Sequence, residues 1–242
     1  MSEISALVHH YPLVFAKVSD KDFRFVALLG LYDEENLFLD PEGKWHSSYI
    51  PAKYRSYPFS ITEIVTNNEV QKVLAIDLDS NLYRDSPEKE LGESRFFSDD
   101  GKIAPVVEST FNFLQKLNND GRITQKAVEQ IVSYDILVPL KLNLNFTDET
   151  RTPLKGLYRI DEQKLHSLTG DKIKVLQERH ALGMAYAHIF SLSRISILKK
   201  FYEIKQRYLS LKEEHEQINQ IDNIDAFFNS DDEELSFDWN KL

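Results

Sequence analysis

The chain of 242 residues contains no cysteine. Disulfide bonds, thiolate-bound zinc, iron–sulfur clusters and cysteine nucleophiles are therefore excluded, and the composition agrees with a reducing compartment. Glycine and proline are also scarce, with eight of each, whereas 42% of the residues are hydrophobic and 12% are aromatic. This composition is typical of a globular protein and excludes a fibrous repeat or a largely disordered chain.

Targeting and membrane-spanning patterns are also missing. The first eighteen residues include Glu3 and Pro12, where a secretory signal peptide would have a basic start and an unbroken apolar run. No apolar run approaches the roughly 18 to 20 residues that a spanning helix needs, and the mean hydropathy is −0.40. We therefore expect a cytoplasmic protein without membrane insertion.

The negative charge is concentrated at the C-terminus. Residues 211–242 hold ten acidic residues and two lysines, so the first 210 residues carry only −2 of the net charge of −10. Neutralisation of nucleic-acid phosphates needs a basic face, and this near-neutral body has no basic excess. We expect no nucleic-acid partner.

Catalytic and cofactor motifs are absent as well. The sequence has no GxGxxG, no GxxxxGK[ST], no GxSxG and no HExxH. Asp77 and Asp79 follow an apolar run and resemble the DxD of haloacid-dehalogenase phosphotransferases, but the flanking residues indicate hairpins, which favours an ordinary strand end. We therefore predict no catalytic residue, no metal ligand and no cofactor.

The pattern of apolar residues predicts an α+β fold. Short apolar or alternating runs between residues 11 and 80 indicate a hairpin-built antiparallel sheet, and Asp40-Pro41-Glu42-Gly43 predicts a reversal between Asn36 and Trp45. Residues 138–145 and 156–160 are expected to return to this sheet. Helical spacing predicts two helices between residues 104 and 132, separated at 118–121, and one long helix over 171–218, kinked at Gly183.

The segment 43–59 has an unusual mixture of aromatic, basic and proline residues. Tyrosine and tryptophan combine an apolar body with a hydrogen-bonding edge, and arginine can grip a carboxylate in a fork. Two interpretations stay open: the segment lines a groove for a peptide or small acid, or its aromatic residues close the open end of a small sheet. The candidate binding residues are Trp45, Tyr49, Tyr54, Arg55, Tyr57 and Arg159.

We divide the chain into one domain, residues 1–221, and an acidic aromatic tail, residues 222–242. Runs of like charge rarely fold alone, so a solvated terminus is one interpretation of the tail. The other is a docking peptide, in which Phe237 and Trp239 act as apolar anchors and the acids steer the tail toward a basic partner.

Several motifs in order along the chain resemble the SapC family of bacterial proteins. They are His10-Tyr11-Pro12, 27–31 (ALLGL), Asn36-Leu37-Phe38, Gly43-Lys44-Trp45, 49–52 (YIPA), Tyr57-Pro58-Phe59 and 156–161 (GLYRID). The resemblance extends from about residue 10 to the end of the long helix. It implies a second basic residue between Arg55 and Tyr57, where this chain has Ser56.

For function, the resemblance implies an accessory role linked to TonB-dependent uptake or to flavin-dependent halogenase-like systems. We expect a non-enzymatic protein that binds a peptide or protein partner. An enzyme acting on amino acids or peptides is the first alternative, with His10, Arg55, Asp77, Asp79 and Arg159 as its candidate polar groups. A structural protein of the surface layer is the second alternative, and homo-oligomerisation stays open.

Overall fold

The computed structural model describes residues 1–66, 69–84, 92–142 and 152–228, with side chains through residue 212. The strands are β1 (Leu13–Lys17), β2 (Phe23–Ala27), β3 (Phe59–Thr66), β4 (Glu69–Ile76), β5 (Leu137–Pro139) and β6 (Leu157–Ile160). The helices are α1 (Ile4–Leu7), α2 (Ala52–Arg55), α3 (Pro105–Ser133), α4 (Glu162–His166), α5 (Gly170–Glu178), α6 (Ala181–Ser191) and α7 (Ile195–Phe228). The predicted α+β class is confirmed.

A four-stranded antiparallel sheet in the order β2-β1-β6-β5 lies at the centre of the fold. Its strand β1 contributes buried side chains to both hydrophobic clusters of the core, Phe15 to one and Leu13 and Val14 to the other. Strands β5 and β6 are the two expected returns of the chain to the N-terminal sheet. β5 ends at Pro139, and residues 143–145 of the predicted strand lie outside the described ranges.

Strands β3 and β4 form a second, two-stranded sheet in which Phe59 lies opposite Ile76 and Thr66 opposite Glu69. At the end of this hairpin that carries Val65 and Val70, most side chains are exposed. A strand inside a larger sheet needs a buried face along its length, and this hairpin lacks one. The structure thus divides the sheet expected for residues 10–80 into two.

The reversal predicted between Asn36 and Trp45 is confirmed. The N–H of Gly43 donates to the carbonyl of Asp40 at 3.0 Å, and Gly43 has the positive φ of 82° that a residue without a side chain adopts most easily. Only an isolated bridge between Leu39 and Trp45 flanks this turn, so it joins loops and not strands.

Helix α3 runs unbroken through residues 118–121, so the prediction of two helices here is wrong. The turn-like residues Asn118, Asn119 and Gly121 weaken a helix, and glycine costs about 1 kcal/mol relative to alanine. Packing outweighs this cost because α3 buries an apolar face formed by Leu114, Ala127, Val128 and Ile131.

The C-terminal helical region ends in the long helix that the sequence predicts, α7, but its first part is divided differently. The chain breaks at Arg179–His180, where His180 takes a left-handed conformation with a φ of 58° that ends α5. A short 3-10 turn, Leu192–Arg194, separates α6 from α7. The predicted kink at Gly183 is wrong, because Gly183 lies inside α6.

Within the described ranges, the helical stretch Ala181–Lys212 is long and apolar enough, by length and composition, to cross a membrane. Its most apolar window has a mean hydropathy of 1.3, and 33% of that window is buried inside the protein. Met184, Ala185 and Leu198 from this stretch belong to the hydrophobic core, and core helices of soluble proteins have the same composition.

Candidate peptide-binding groove

Trp45 is attached to the body of the fold through its indole N–H, which donates to the hydroxyl of Tyr11 at 3.0 Å. Tyr11 is fully buried, and its hydroxyl donates in turn to the backbone carbonyl of Tyr49. The Trp45 ring also lies 5.0 Å from the ring of Tyr54, between centroids. The polar edge of Trp45 is therefore used inside the protein, where it holds the segment beside the start of β1.

Glu3 holds the same segment from the N-terminal side. Its Oε1 atom accepts hydrogen bonds from the hydroxyl of Tyr49, at 2.9 Å, and from the backbone N–H of Ala52, the first residue of α2. Pro51 precedes this helix without a side-chain cap, so Glu3 caps it from a distant part of the chain. Burial first, and then the Glu3 carboxylate, raise the pKa of the Tyr49 phenol above its ordinary value.

Arg55 is exposed but fixed in place by four contacts. Its Nε donates to the carbonyl of Ile50 at 2.9 Å, and its Nη2 donates to the hydroxyl of Tyr49 at 3.1 Å. The guanidinium carbon lies 5.3 Å from the centre of the Tyr49 ring and 5.6 Å from that of Phe113 on α3. Among the described residues Nη1 has no hydrogen-bond partner, so this atom is oriented and available to an anion.

A groove of about 600 Å³ opens beside Tyr49 and Arg55. The N-terminal residues, β2, the start of α2 and the middle of α3 form its walls. Its apolar lining includes Phe25, Phe113 and Leu117. The groove therefore presents aromatic and aliphatic surface between two secondary-structure elements, β2 and α3.

Charged side chains on the groove walls favour an anionic occupant. The cations are Arg24, Arg55 and Lys116, and the acids are Glu3 and Asp120. Asp120 accepts a hydrogen bond from the hydroxyl of Ser2, which is the main reason that the pKa of its carboxyl is lowered.

The three cations differ in their own partners. Arg24 forms an ion pair with Asp22 at 3.1 Å. Lys116 has no hydrogen bond or ion pair with any described residue, although its charge helps to lower the pKa of Asp120. Since both acids already accept internal hydrogen bonds, Arg55 and Lys116 are the groups best placed to bind an added carboxylate.

The free edge of the central sheet also faces this groove. β2 is the terminal strand, and the N–H of Leu28 donates to the carbonyl of Pro12 before β1. Because antiparallel ladder bonds alternate along a strand, the backbone groups of Phe25 and Ala27 point away from β1. The side chain of Gln125 on α3 covers only the carbonyl of Phe23, at 3.1 Å. No other described residue bonds to this edge of β2.

Tyr54, Tyr57 and Arg159, three of the other predicted binding residues, do not line the groove. Tyr54 and Tyr57 are about half exposed, and the Tyr57 hydroxyl donates to Asp77 at 3.2 Å. Arg159 lies on β6 and donates to the carbonyl of Ile160. Phe237 and Trp239 of the tail lie outside the described residues. Of the six residues, the structure thus places Tyr49 and Arg55 on the groove wall.

The polar groups considered for an enzyme make separate structural contacts. Asp77 caps the 3-10 turn Leu78–Ser80 by accepting the backbone N–H of Asp79 at 3.0 Å. His10 stacks on the ring of Tyr49 at 6.3 Å, between centroids, and burial is the main reason that its pKa is lowered. Asp77 and Arg159 do not line the groove beside Arg55.

Sequence reasoning missed the groove residues on β2 and α3, among them Phe25, Phe113 and Lys116. Their residue types are ordinary for a strand and an amphipathic helix, so composition gives no signal. The signal that exists is Arg24, an exposed cation on a strand that is otherwise apolar. Its meaning depends on β2 being an edge strand, which only the strand order shows.

The SapC family model matches residues 1–198, which include every strand described here and the helices through α6. The chain belongs to the SapC family. No curated protein and no solved structure is significantly similar to it. In this SapC-family chain Ser56 is buried and its hydroxyl donates to the carbonyl of Lys53 at 2.8 Å, so it does not supply a second contact to an anion beside Arg55.

Proposed function

We propose that this SapC-family protein is a non-enzymatic accessory protein that binds an acidic peptide, or an acidic segment of a protein partner, in the groove beside β2. The observation that carries the proposal is the free edge of β2 next to the fixed guanidinium of Arg55. An extended peptide can join such an edge through main-chain hydrogen bonds, while pockets beside the edge receive its side chains.

The backbone of β2 offers a suitable set of groups for this addition. Phe25 and Ala27 are two residues apart, so their N–H and C=O groups face the same side of the strand. A peptide strand there would pair with them and extend the sheet by one strand. The groove volume of about 600 Å³ lies within the usual range for ligand sites, about 300–1,000 Å³.

Arg55 supplies specificity for acidic side chains in this arrangement. Tyr49 and Phe113 hold the plane of its guanidinium, which reduces the conformational entropy lost when a carboxylate binds. Lys116 adds a second positive charge on the α3 wall. The apolar surface of Phe25 and Leu117 would receive aromatic side chains of the peptide.

The proposed setting is the cytoplasm, in TonB-dependent uptake or flavin-dependent halogenase-like systems. The link to these systems is what the resemblance to the SapC family implies, and the cytoplasmic setting is a separate part of the proposal.

The test is fluorescence anisotropy with a labelled peptide that alternates acidic and aromatic residues. We expect Arg55→Ala to weaken binding at least about tenfold, since a charge-assisted hydrogen bond is lost, and Arg55→Lys to restore part of the affinity. Arg179→Ala is the control, because Arg179 is an exposed arginine at the end of α5, away from the groove. Equal affinities in Arg55→Ala and Arg179→Ala would refute the proposal.

A further inference from the structure

The C-terminal segment 229–242 has the composition that the groove would accept. It holds five acidic residues, one lysine and the aromatic residues Phe237 and Trp239. Residues two apart in an extended peptide present their side chains on one face. Bound in extended form, Phe237 and Trp239 would therefore face the apolar lining together while the acids lie near Arg55 and Lys116.

The distance along α7 decides which copy of the segment can reach the groove. α7 has 34 residues, which corresponds to about 51 Å. Near its start, Phe201 packs against Phe38 with ring centroids 5.2 Å apart. Phe38 lies 4.7 Å from the ring of Tyr11, whose hydroxyl donates to the carbonyl of Tyr49 at the groove wall. Phe237 comes nine residues after Phe228, so it can lie only about 30 Å beyond the end of the helix. Because this span is shorter than the helix, Phe237 does not reach back to the groove of its own chain.

We infer that the segment 229–242 of a second copy of this chain occupies the groove beside β2, so that the protein associates with itself through tail and groove. The inference rests on the proposed function, because it assigns an occupant to the same site. Two copies that exchange their segments form a closed dimer with a two-fold axis and leave no groove unfilled.

The test uses two full-length variants and sedimentation velocity. The tail variant, Phe237→Ser with Trp239→Ser, keeps the groove intact. The groove variant, Arg55→Glu with Lys116→Glu, keeps the tail intact. Each variant alone is expected to be a monomer at concentrations where the unaltered protein is a dimer, and an equimolar mixture of the two is expected to dimerise, because one intact tail can meet one intact groove. Arg179→Glu with Lys200→Glu is the charge-matched control, because both residues are exposed and neither lines the groove. It is expected to dimerise like the unaltered protein.

Other outcomes overturn the inference. An unaltered protein that is monomeric, variants that remain dimeric, or a mixture that stays monomeric would each do so. Adding the labelled acidic aromatic peptide to the tail variant distinguishes a failure of the self-association inference from a failure of the proposed peptide binding. If the peptide binds while the mixture stays monomeric, the groove binds peptides but its occupant is another partner. If the peptide also fails to bind, both proposals fall.

Discussion

His188 joins Leu13 to Ile160 in the central sheet. Its Nδ1 lies 2.7 Å from the carbonyl oxygen of Leu13, and its Nε2 accepts the backbone N–H of Ile160 at 3.1 Å. The register that pairs Phe15 with Tyr158 would place Leu13 opposite Ile160. The imidazole therefore replaces a direct ladder bond between β1 and β6. Since Nε2 is the acceptor, the ring is neutral and carries its proton on Nδ1.

Acid should destabilise the fold through this histidine. Burial lowers the pKa of His188 from its ordinary value of 6.5 to about 4. Between these values the folded state binds fewer protons than the unfolded state. The contribution of neutral His188 to the free energy of unfolding is therefore complete above pH 6.5. As the pH falls toward 4, the free energy of unfolding decreases by about 3 kcal/mol.

The measurement is urea unfolding at several pH values. In the unaltered protein we expect the free energy of unfolding to decrease as the pH is lowered. The decrease should be smaller in His188→Gln, which has no titrating group at this position. The exposed His9→Gln serves as control and should keep the full slope. Equal slopes in the unaltered protein and His188→Gln would contradict the assignment.

Ser191 should stabilise the same strand. Its buried Oγ accepts the N–H of Leu13 at 2.9 Å. Ser191→Ala leaves that buried N–H without its acceptor and should lower the free energy of unfolding by about 1–3 kcal/mol, as measured by chemical denaturation. Ser193→Ala removes an exposed hydroxyl that donates to the carbonyl of Phe190 and should have little effect. Similar losses in both variants would show that Ser191 has no special role.

Proline at position 27 should block strand addition. The N–H of Ala27 points away from β1 toward the groove, so Ala27→Pro removes this donor without removing a ladder bond. We expect the acidic aromatic peptide to bind about tenfold more weakly, as judged by fluorescence anisotropy, which corresponds to one main-chain hydrogen bond. Ala27→Val keeps the N–H and should bind normally, and thermal melts check that both variants fold. Normal binding by a folded Ala27→Pro would exclude this mode of recognition.

Gly121→Ala tests the continuity of α3. A Cβ at this position meets no atom within 4 Å, and the backbone is helical, so alanine should raise the free energy of unfolding by about 0.5–1 kcal/mol. Gly43 has equally open surroundings but a φ of 82°, and Gly43→Ala should destabilise the protein by about 1 kcal/mol. A destabilised Gly121→Ala would favour the broken helix that the sequence suggests.

Local patterns in the sequence were sufficient for much of the fold. Alternating apolar residues marked β1 and β4, and the Asp40–Gly43 sequence marked a turn, because the conformations of these short stretches depend on their own side chains. The boundaries of helices were less accessible. Gly121 did not end a helix and His180 did, since the packing of the whole helix face outweighs the preference of one residue.

The candidate site, like the fold, could be predicted only in part from the sequence. The composition of residues 43–59 singled out Trp45, Tyr49, Tyr54, Arg55 and Tyr57, since few folds need so many aromatic and basic groups in one short segment. Of these, Tyr49 and Arg55 line the groove. The groove itself depends on β6 pairing with β1, which leaves β2 as the edge strand beside α3. That pairing joins residues more than 140 positions apart, and it is held by His188 from yet another helix. Local propensities carry no information about contacts of this range, so the tertiary structure alone decided where the free edge of the sheet lies.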